Sequence, residues 1–404
     1  MPEYIGIDAL RKKLEAKRSR IHIRYRHYEM KHLARDFEIS TPPELRWEMS
    51  VLGWCSKAVD SLADRLAFQQ FDNDVFDMNG IYSANNKDVL IDSAILGALI
   101  SSCDFIYITK DETGFPLMRV IDGAHATGVI DPVTSMLKEG YAVIERDEKD
   151  QPVIEGYFTP EYTAIYQNGA LIGTTPNPAP YPLLVPVVYR PDAVRPFGHS
   201  RISRACMSIA DSAARTVKRS EISAEFYSFP QKYLLGTSSD LEKLDRWRAT
   251  MSTMLRIDKD EDGDRPVVGQ FQQQTMTPHM DQLRMFAGLF AGETGLTLDD
   301  LGFPSQNPSS ADAIKASHES LRLQARAAQK TFGVGLLNAG YLAACVRDDY
   351  GYLRRQVSNT VLRWSPIFEP DAGMLSGIGD AVQKIQMSFP DYFTEEKLNE
   401  LTGI

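Results

Sequence analysis

Residues 200–226 read SRISRACMSIADSAARTVKRSEISAEF, and residues 278–294 read PHMDQLRMFAGLFAGET. Both stretches have helical periodicity. In the first, Ile202, Ala205, Cys206, Ile209, Ala213, Val217 and Ile222 fall on one stripe, and most other positions are Ala, Ser, Arg or Lys. Large apolar anchors are few, so the stripe buries little area alone, while its small residues let another helix approach closely. In the second, Pro278 opens a helix with Met280, Leu283, Phe286, Ala287 and Phe290 on one side. Helices of this kind need neighbours, including neighbours from other copies of the chain.

Between the two lies a compact insertion. Residues 231–235 read as a strand, 240–255 as a helix capped by Ser239, and 267–272 as a second strand. Leu241, Leu244, Trp247, Met251, Met254 and Leu255 share one face of that helix. The unit is a small α/β lobe. After the second long helix comes a loop, 295–308, and then a helix from Ser309 to about Asp349. That is more than three times the average helix of about 11–12 residues. Gly333, Gly335 and Gly340 inside it predict a kink or break.

Outward from this core the period changes. Residues 5–36 read as a basic, charged helix that is solvated or faces a partner. Thr41-Pro42-Pro43-Glu44 starts a second helix with a capping box, and Trp47, Val51, Trp54, Cys55, Ala58, Leu62 and Leu66 form its buried stripe. A third helix covers about 87–101, with Val89 among its apolar positions. From 104 to 190 the pattern is β: 105–108 and 118–121 pair as a hairpin around Asp111–Gly114, and 141–145, 153–158, 163–166 and 171–174 continue as short strands. Turn signals at Asp150-Gln151-Pro152 and Asn168-Gly169 separate them. The proline-rich stretch 176–186 closes the β region. Residues 353–363 read as helix or strand, with helices near 376–388 and from Thr394 to Leu401 at the end.

The chain of 404 residues has a net charge of -10. A protein that grips DNA tightly presents a basic surface, so this balance argues against a sequence-specific DNA binder but not against a protein that DNA slides past. Cys55, Cys103, Cys206 and Cys345 are far apart in sequence and read as buried thiols in a reducing compartment. His22, His27 and His32 are spaced by five and read as surface residues. No signal peptide and no apolar run of about 20 residues is found.

Asp258-x-Asp260-x-Asp262-Gly263 begins like a calcium loop, but the twelfth position is Gly269 where a bidentate Glu belongs, and a strand follows. It reads as an acidic turn. Gly333-x-Gly335 lies inside a helix and is no dinucleotide fingerprint. No nucleotide-binding lysine loop, nucleophile elbow or zinc-protease helix occurs, and Asp299-Asp300 reads as a solvated pair. The expectation is no enzyme, no metal and no cofactor.

The order of helix, small α/β insertion, helix, loop and long helix resembles the core of portal proteins of tailed double-stranded-DNA bacteriophages, siphophage type. Pro196-Phe197-Gly198-His199-Ser200-Arg201-Ile202 is similar to the family's approach to its first stem helix. Asn307-Pro308-Ser309-Ser310-Ala311-Asp312-Ala313-Ile314 resembles its junction of tunnel loop and long helix, and Trp364-Ser365-Pro366 with 380–385 resembles its C-terminal part. The resemblance covers about 40–404. It implies an α+β, ring-forming portal fold: a basic N-terminal segment 1–39, a wing 40–199, stem helices 200–226 and 278–294, a clip 227–277, a tunnel loop 295–310, a long wing helix with its exit 311–364, and crown-like helices 365–404.

The same resemblance implies a homo-oligomeric ring, a dodecamer, at the capsid vertex of a virion assembled in the host cytoplasm. Its channel would pass double-stranded DNA non-specifically during packaging and ejection. Thr297, Asp299, Asp300, Ser305, Gln306 and Asn307 would line the tunnel loop. Arg246, Trp247, Asp258, Asp260 and Asp262 in the clip would meet the large terminase and then the head-tail adaptor. Capsid and scaffold proteins are the other implied partners; the chain's shortness for the family argues against a large crown. Two readings compete: another head-assembly structural protein, and a metal-dependent enzyme built on Asp258, Asp260 and Asp262.

Overall fold

The structure is a computed structural model that describes residues 4–35, 49–228, 232–235, 267–270, 275–304, 316–368, 372–390, 392–394 and 398. It is of α+β type, with antiparallel sheets. The chain divides into two units. The first comprises Met1–His32, Gly53–Met207 and Gly292–Ile404, and the second Leu33–Leu52 and Ser208–Ala291.

The first unit opens with α1 (Ile7–Tyr28), α2 (Trp54–Ala63), β1 (Phe68–Asp72), α3 (Met78–Ala84) and α4 (Lys87–Ser101). β2 (Cys103–Lys110) and β3 (Pro116–Ile121) form the expected hairpin, its turn held by Asp111 Oδ1, which accepts from the backbone N–H of Thr113 and Phe115 at 2.8 Å each. β4 (Ala126–Ile130), β5 (Leu137–Arg146), β6 (Pro152–Phe158), β7 (Tyr162–Gln167) and β8 (Ala170–Pro176) follow in sequence order as a five-stranded meander. Asn168 (φ 49°) and Gly169 (φ 81°) make the tight β7–β8 turn, a left-handed pair that an Asn-Gly dipeptide permits. β9 (Leu184–Val188) pairs with β2 in a three-stranded sheet of order β3-β2-β9. The proline stretch therefore ends inside a strand. Pro186 is tolerated because β9 is an edge strand.

The long helix α7 (Glu319–Arg347) packs on β9, β2 and α3. It is uninterrupted, against the expected break at its glycines. Those glycines serve close approach instead. A Cβ on Gly335 would stand 3.0 Å from Pro186 O, and one on Gly340 2.8 Å from Met78 Sδ. Tyr82 Oη donates to Leu336 O at 2.7 Å across the same contact. Residues 353–363 resolve into a 3-10 turn, Arg354–Val357, and a strand, β12 (Val361–Trp364), which pairs with β1. α8 (Ala372–Ser388) ends the described helices.

Three expectations are corrected. The second helix starts at Trp54, with Gly53 as N-cap; Val51 lies outside it and is exposed, and residues 41–48 lie outside the described residues. Val89 is 71% exposed although α4 itself matches. His27 is buried, with its ring stacked on His32 at 3.9 Å. Five residues separate them, but α1 stops at Tyr28 and Met30 takes φ 57°, so the chain folds back and a helical spacing rule no longer applies. The four cysteines are buried, as expected, and none is in a disulfide.

The basic first helix is solvated on one side and docked on the sheet on the other. Leu10 and Leu14 pack against Tyr141, Val143, Tyr157 and Ala164 of the five-stranded sheet. Lys13 and Lys17 each donate from Nζ at 2.7 Å, to Gly128 O and Ala126 O of β4. Arg11 donates to Glu155 at 3.0 and 2.8 Å. Glu139 accepts from the N–H of Ile5 at 2.7 Å and of Gly6 at 3.2 Å, a carboxylate at a helix N-terminus.

Candidate functional site: two helices, a strand ladder and the loop beyond

α5 (Arg204–Ser228) and α6 (Thr277–Thr294) flank two short strands, β10 (Lys232–Leu235) and β11 (Val267–Gln270). The strands pair antiparallel, Lys232 opposite Gln270 and Leu235 opposite Val267. Within the second unit Thr216 Oγ1 lies 3.3 Å from Gln282 Oε1. The ladder and this contact place α5 and α6 side by side, antiparallel, with residues 236–266 inserted between the strands.

α5 has the thin stripe its sequence predicts. Cys206, Ala210, Ala213, Ala214, Thr216 and Ile222 are buried, while Ala205 is exposed. α6 departs from expectation. Ala287 and Phe290 are buried, but Met280, Met285 and Leu289 are 56%, 52% and 54% exposed. A Cβ added at Gly288 or Gly292 would meet nothing within 4 Å. Covering a side chain of this size fully is worth about 1.5–3 kcal/mol; Met280 lies on the side of Ala287 and Phe290, whereas Met285 and Leu289, four residues apart, share the opposite face and form the bare patch of α6.

The approach to α5 explains its motif. Gly198 takes φ 71°, and a Cβ there would lie 2.0 Å from Tyr189 O, so no larger residue fits. Ser200 Oγ donates to Ile100 O at 2.6 Å. Arg201 is buried and donates to Ala58 O of α2, Gln324 Oε1 of α7 and, at 2.9 Å, Thr294 O at the end of α6. Burial lowers its pKa. One guanidinium thus ties the start of α5 to the end of α6 and to α7. The motif was quoted from the sequence without a role for Arg201; a charged residue between Ser200 and Ile202 at a helix start was the available signal.

The described part of the following loop is a built turn. Gly295 takes φ 75°, and a Cβ there would meet Gln324 Nε2 at 2.5 Å. Thr297 N–H and Oγ1–H both donate to Asp300 Oδ2 at 2.9 Å, and Asp299–Leu301 forms a 3-10 turn ended by Gly302 at φ 89°. Leu296 and Leu301 are buried and Asp299 is exposed. Asp300 is therefore a turn-forming carboxylate rather than a freely solvated one. Ser305, Gln306 and Asn307 lie outside the described residues, as do Arg246, Trp247, Asp258, Asp260, Asp262, the lobe's helix at 240–255 and, in the last helix, every residue but Thr394 and Leu398. Nothing in the described geometry brings a nucleophile, a base and an anion-stabilising group to one point.

No protein-family model matches the chain. The chain is similar to the portal protein of Mycobacterium phage L5, 24% identical over 369 residues, covering 86% of this chain and 74% of that protein. It is also similar to the portal protein of Mycobacterium phage D29, 24% identical over 327 residues, covering 76% of this chain and 67% of that one. Among solved structures, a chain from the neck of a native gene transfer agent particle aligns at a TM-score of 0.47 and 14% identity, over 93% of this chain and 97% of that one. No helix among the described residues is long and apolar enough to cross a membrane. The similarity to the two phage proteins runs through most of the length over which the sequence motifs were read: this chain is a relative of the portal proteins of tailed bacteriophages.

Proposed function

We propose that this chain is the subunit of a portal, a structural ring at the capsid vertex through which double-stranded DNA enters and leaves the virion. The observation that carries the reading is similarity over most of the chain to two phage portal proteins. The bare apolar face of α6 supports it, since head-to-tail closure of a ring supplies each copy with a neighbour on both sides. A chain of net charge -10 also suits passage of DNA without strong phosphate neutralisation.

In this reading residues 40–199 form the wing, α5 and α6 the stem, 227–277 the clip, 295–310 the tunnel loop and 311–364 the long wing helix with its exit. Thr297, Asp299, Asp300, Ser305, Gln306 and Asn307 face the channel. The clip, through Arg246, Trp247, Asp258, Asp260 and Asp262, docks the large terminase and later the head-tail adaptor. The ring is a dodecamer assembled in the host cytoplasm with capsid and scaffold proteins, and it acts without a cofactor.

Two experiments test this. Negative-stain microscopy of the purified chain is expected to show perforated rings. Co-purification with the cognate large terminase is expected for the intact chain and lost when Arg246 and Trp247 are both replaced by Ala. Intact rings that ignore the terminase would favour another head-assembly role.

A further inference from the structure

The first unit carries two groups of like charge at opposite ends of α4. At the last residue of that helix, Arg24 of α1 donates from Nη1 to Ser101 O at 3.1 Å. Arg20 of α1, Arg195 of the segment before α5 and Arg204, the first residue of α5, stand close around it: burial first, and then their three charges, lower the Arg24 pKa. Arg20, Arg195 and Arg204 are exposed. None of the four arginines forms an ion pair among the described residues. Asp192, the acid beside Arg195, is taken up by His199 Nε2 at 2.6 Å and by the N–H groups of Val194 and Arg195. Glu293 accepts from Ser203 Oγ at 2.8 Å.

The other end of α4 is acidic. Asp88 and Asp92 of α4 and Asp64 of α2 are exposed. Burial first, and then the charges of Asp88 and Asp64, raise the Asp92 pKa. Asp60, one turn before Asp64, accepts from Tyr28 Oη at 2.9 Å. Lys87 Nζ comes within 3.7 Å of Asp88 but donates to Gln69 O at 2.8 Å. Asp64 and Asp92 form no ion pair among the described residues. α4 has 15 residues, so the two groups lie about 20 Å apart on one rigid spacer. The helix dipole favours an acid at the start of α4 and a cation at its end, but Arg20, Arg195, Arg204 and Asp64 belong to other elements and fall outside that explanation.

We infer that, around the ring, the arginine group of one copy docks on the aspartate group of the next. The inference rests on the portal reading above and gives it a contact surface. A head-to-tail contact needs two different, mutually complementary patches on every copy, and this unit has such a pair. A two-fold dimer through either patch would set like charge on like. A phosphodiester backbone would satisfy the arginines and leave the aspartates unmet, whereas a second copy answers both. Guanidinium forks match carboxylates in geometry as well as charge. Exposed pairs contribute little one by one, so this contact sets orientation and register more than affinity.

The test is a charge swap read by sedimentation velocity of the intact chain. One triple variant, Arg20→Glu, Arg195→Glu and Arg204→Glu, leaves Arg24 on Ser101. The other, Asp64→Lys, Asp88→Lys and Asp92→Lys, leaves Asp60 on Tyr28. Each triple alone sets like charge against like and is expected to stay dissociated at about ten times the concentration at which the wild type assembles. The lysine triple moves the chain toward neutrality, so overall repulsion would not account for its failure. An equal mixture restores opposite charges at every contact and is expected to assemble like the wild type, with both chains in the oligomer. Should a reversal triple fail to fold, Arg20→Gln, Arg195→Gln and Arg204→Gln together are expected to weaken assembly about tenfold. Wild-type assembly by any of the three triples alone, or a mixture of folded reversal triples that stays dissociated, overturns the inference and leaves the ring reading in place. A wild-type chain that never assembles overturns both. A glutamate triple that assembles normally but loses duplex DNA overturns the inference and assigns the arginines to phosphate.

Discussion

α1 and α6 carry surfaces opposite to their surroundings. α1 is rich in Arg and Lys, yet Leu10, Leu14 and Ile21 are buried and its cations reach acceptors on the sheet below. α6 is rich in Met, Leu and Phe, yet Met280, Met285 and Leu289 stand more than half exposed. The difference lies in what each helix meets. The sheet beneath α1 presents two nearly buried carboxylates, Glu139 and Glu155, and two outward carbonyls of β4, so the charges are matched inside the chain. On α6 the described residues cover Ala287 and Phe290 but leave Met285 and Leu289 about half exposed. A charged helix can be docked within its own chain while an apolar patch on another helix stays exposed.

The comparison can be broken most severely on the α1 side. Glu155→Ala leaves Arg11 and Tyr141 without their shared acceptor and is expected to cost about 3–5 kcal/mol in urea unfolding. A loss under about 1 kcal/mol would mean that α1 is only loosely docked. Leu14→Ala, which opens the packing against the five-stranded sheet, is expected to cost about 2–4 kcal/mol by the same measurement.

A smaller effect lies under α1 at Asp104, whose carboxyl is raised to about 8. The native state then holds a proton that the unfolded chain releases above about pH 4. This group's contribution to stability is therefore present at low pH and is lost as pH rises toward 8. Asp104→Asn removes the dependence. Relative to wild type, the variant is expected to gain about 3 kcal/mol between pH 5 and pH 8. A relative loss across that window would contradict the assignment.

The smallest expected change in single-chain stability is on α6. Replacing Met285 and Leu289 together by Ser is expected to lower the stability of the dissociated chain by only about 1 kcal/mol, because about half of each side chain is exposed there. The same pair is expected to prevent ring assembly in analytical ultracentrifugation. Loss of single-chain stability instead would show that α6 is covered from within.

Much of the secondary structure was legible because the period of apolar residues switches cleanly, from helical to alternating near Cys103 and back near Arg204. The Asn168-Gly169 turn and the paired strands flanking the lobe were read for the same local reasons. The missed elements are set by distant partners. β4 and β9 take their pairing from β5 and β2, and β1 from β12 nearly three hundred residues away. The docking of α1 depends on Glu139 and Glu155 pointing inward, which no local pattern reveals. The glycines of α7 looked like breakers because their neighbours, Pro186, Val187 and Met78, are far off in sequence.

The account turns on the uncovered face of α6 being met by another copy of the same chain. Native mass spectrometry of the purified full-length protein, with and without the Met285→Ser, Leu289→Ser pair, tests this most directly. A closed oligomer of one defined copy number for the wild type and a folded monomer for the variant are predicted. A wild-type chain that stays monomeric at every concentration and salt, or a variant that assembles equally well, would contradict it.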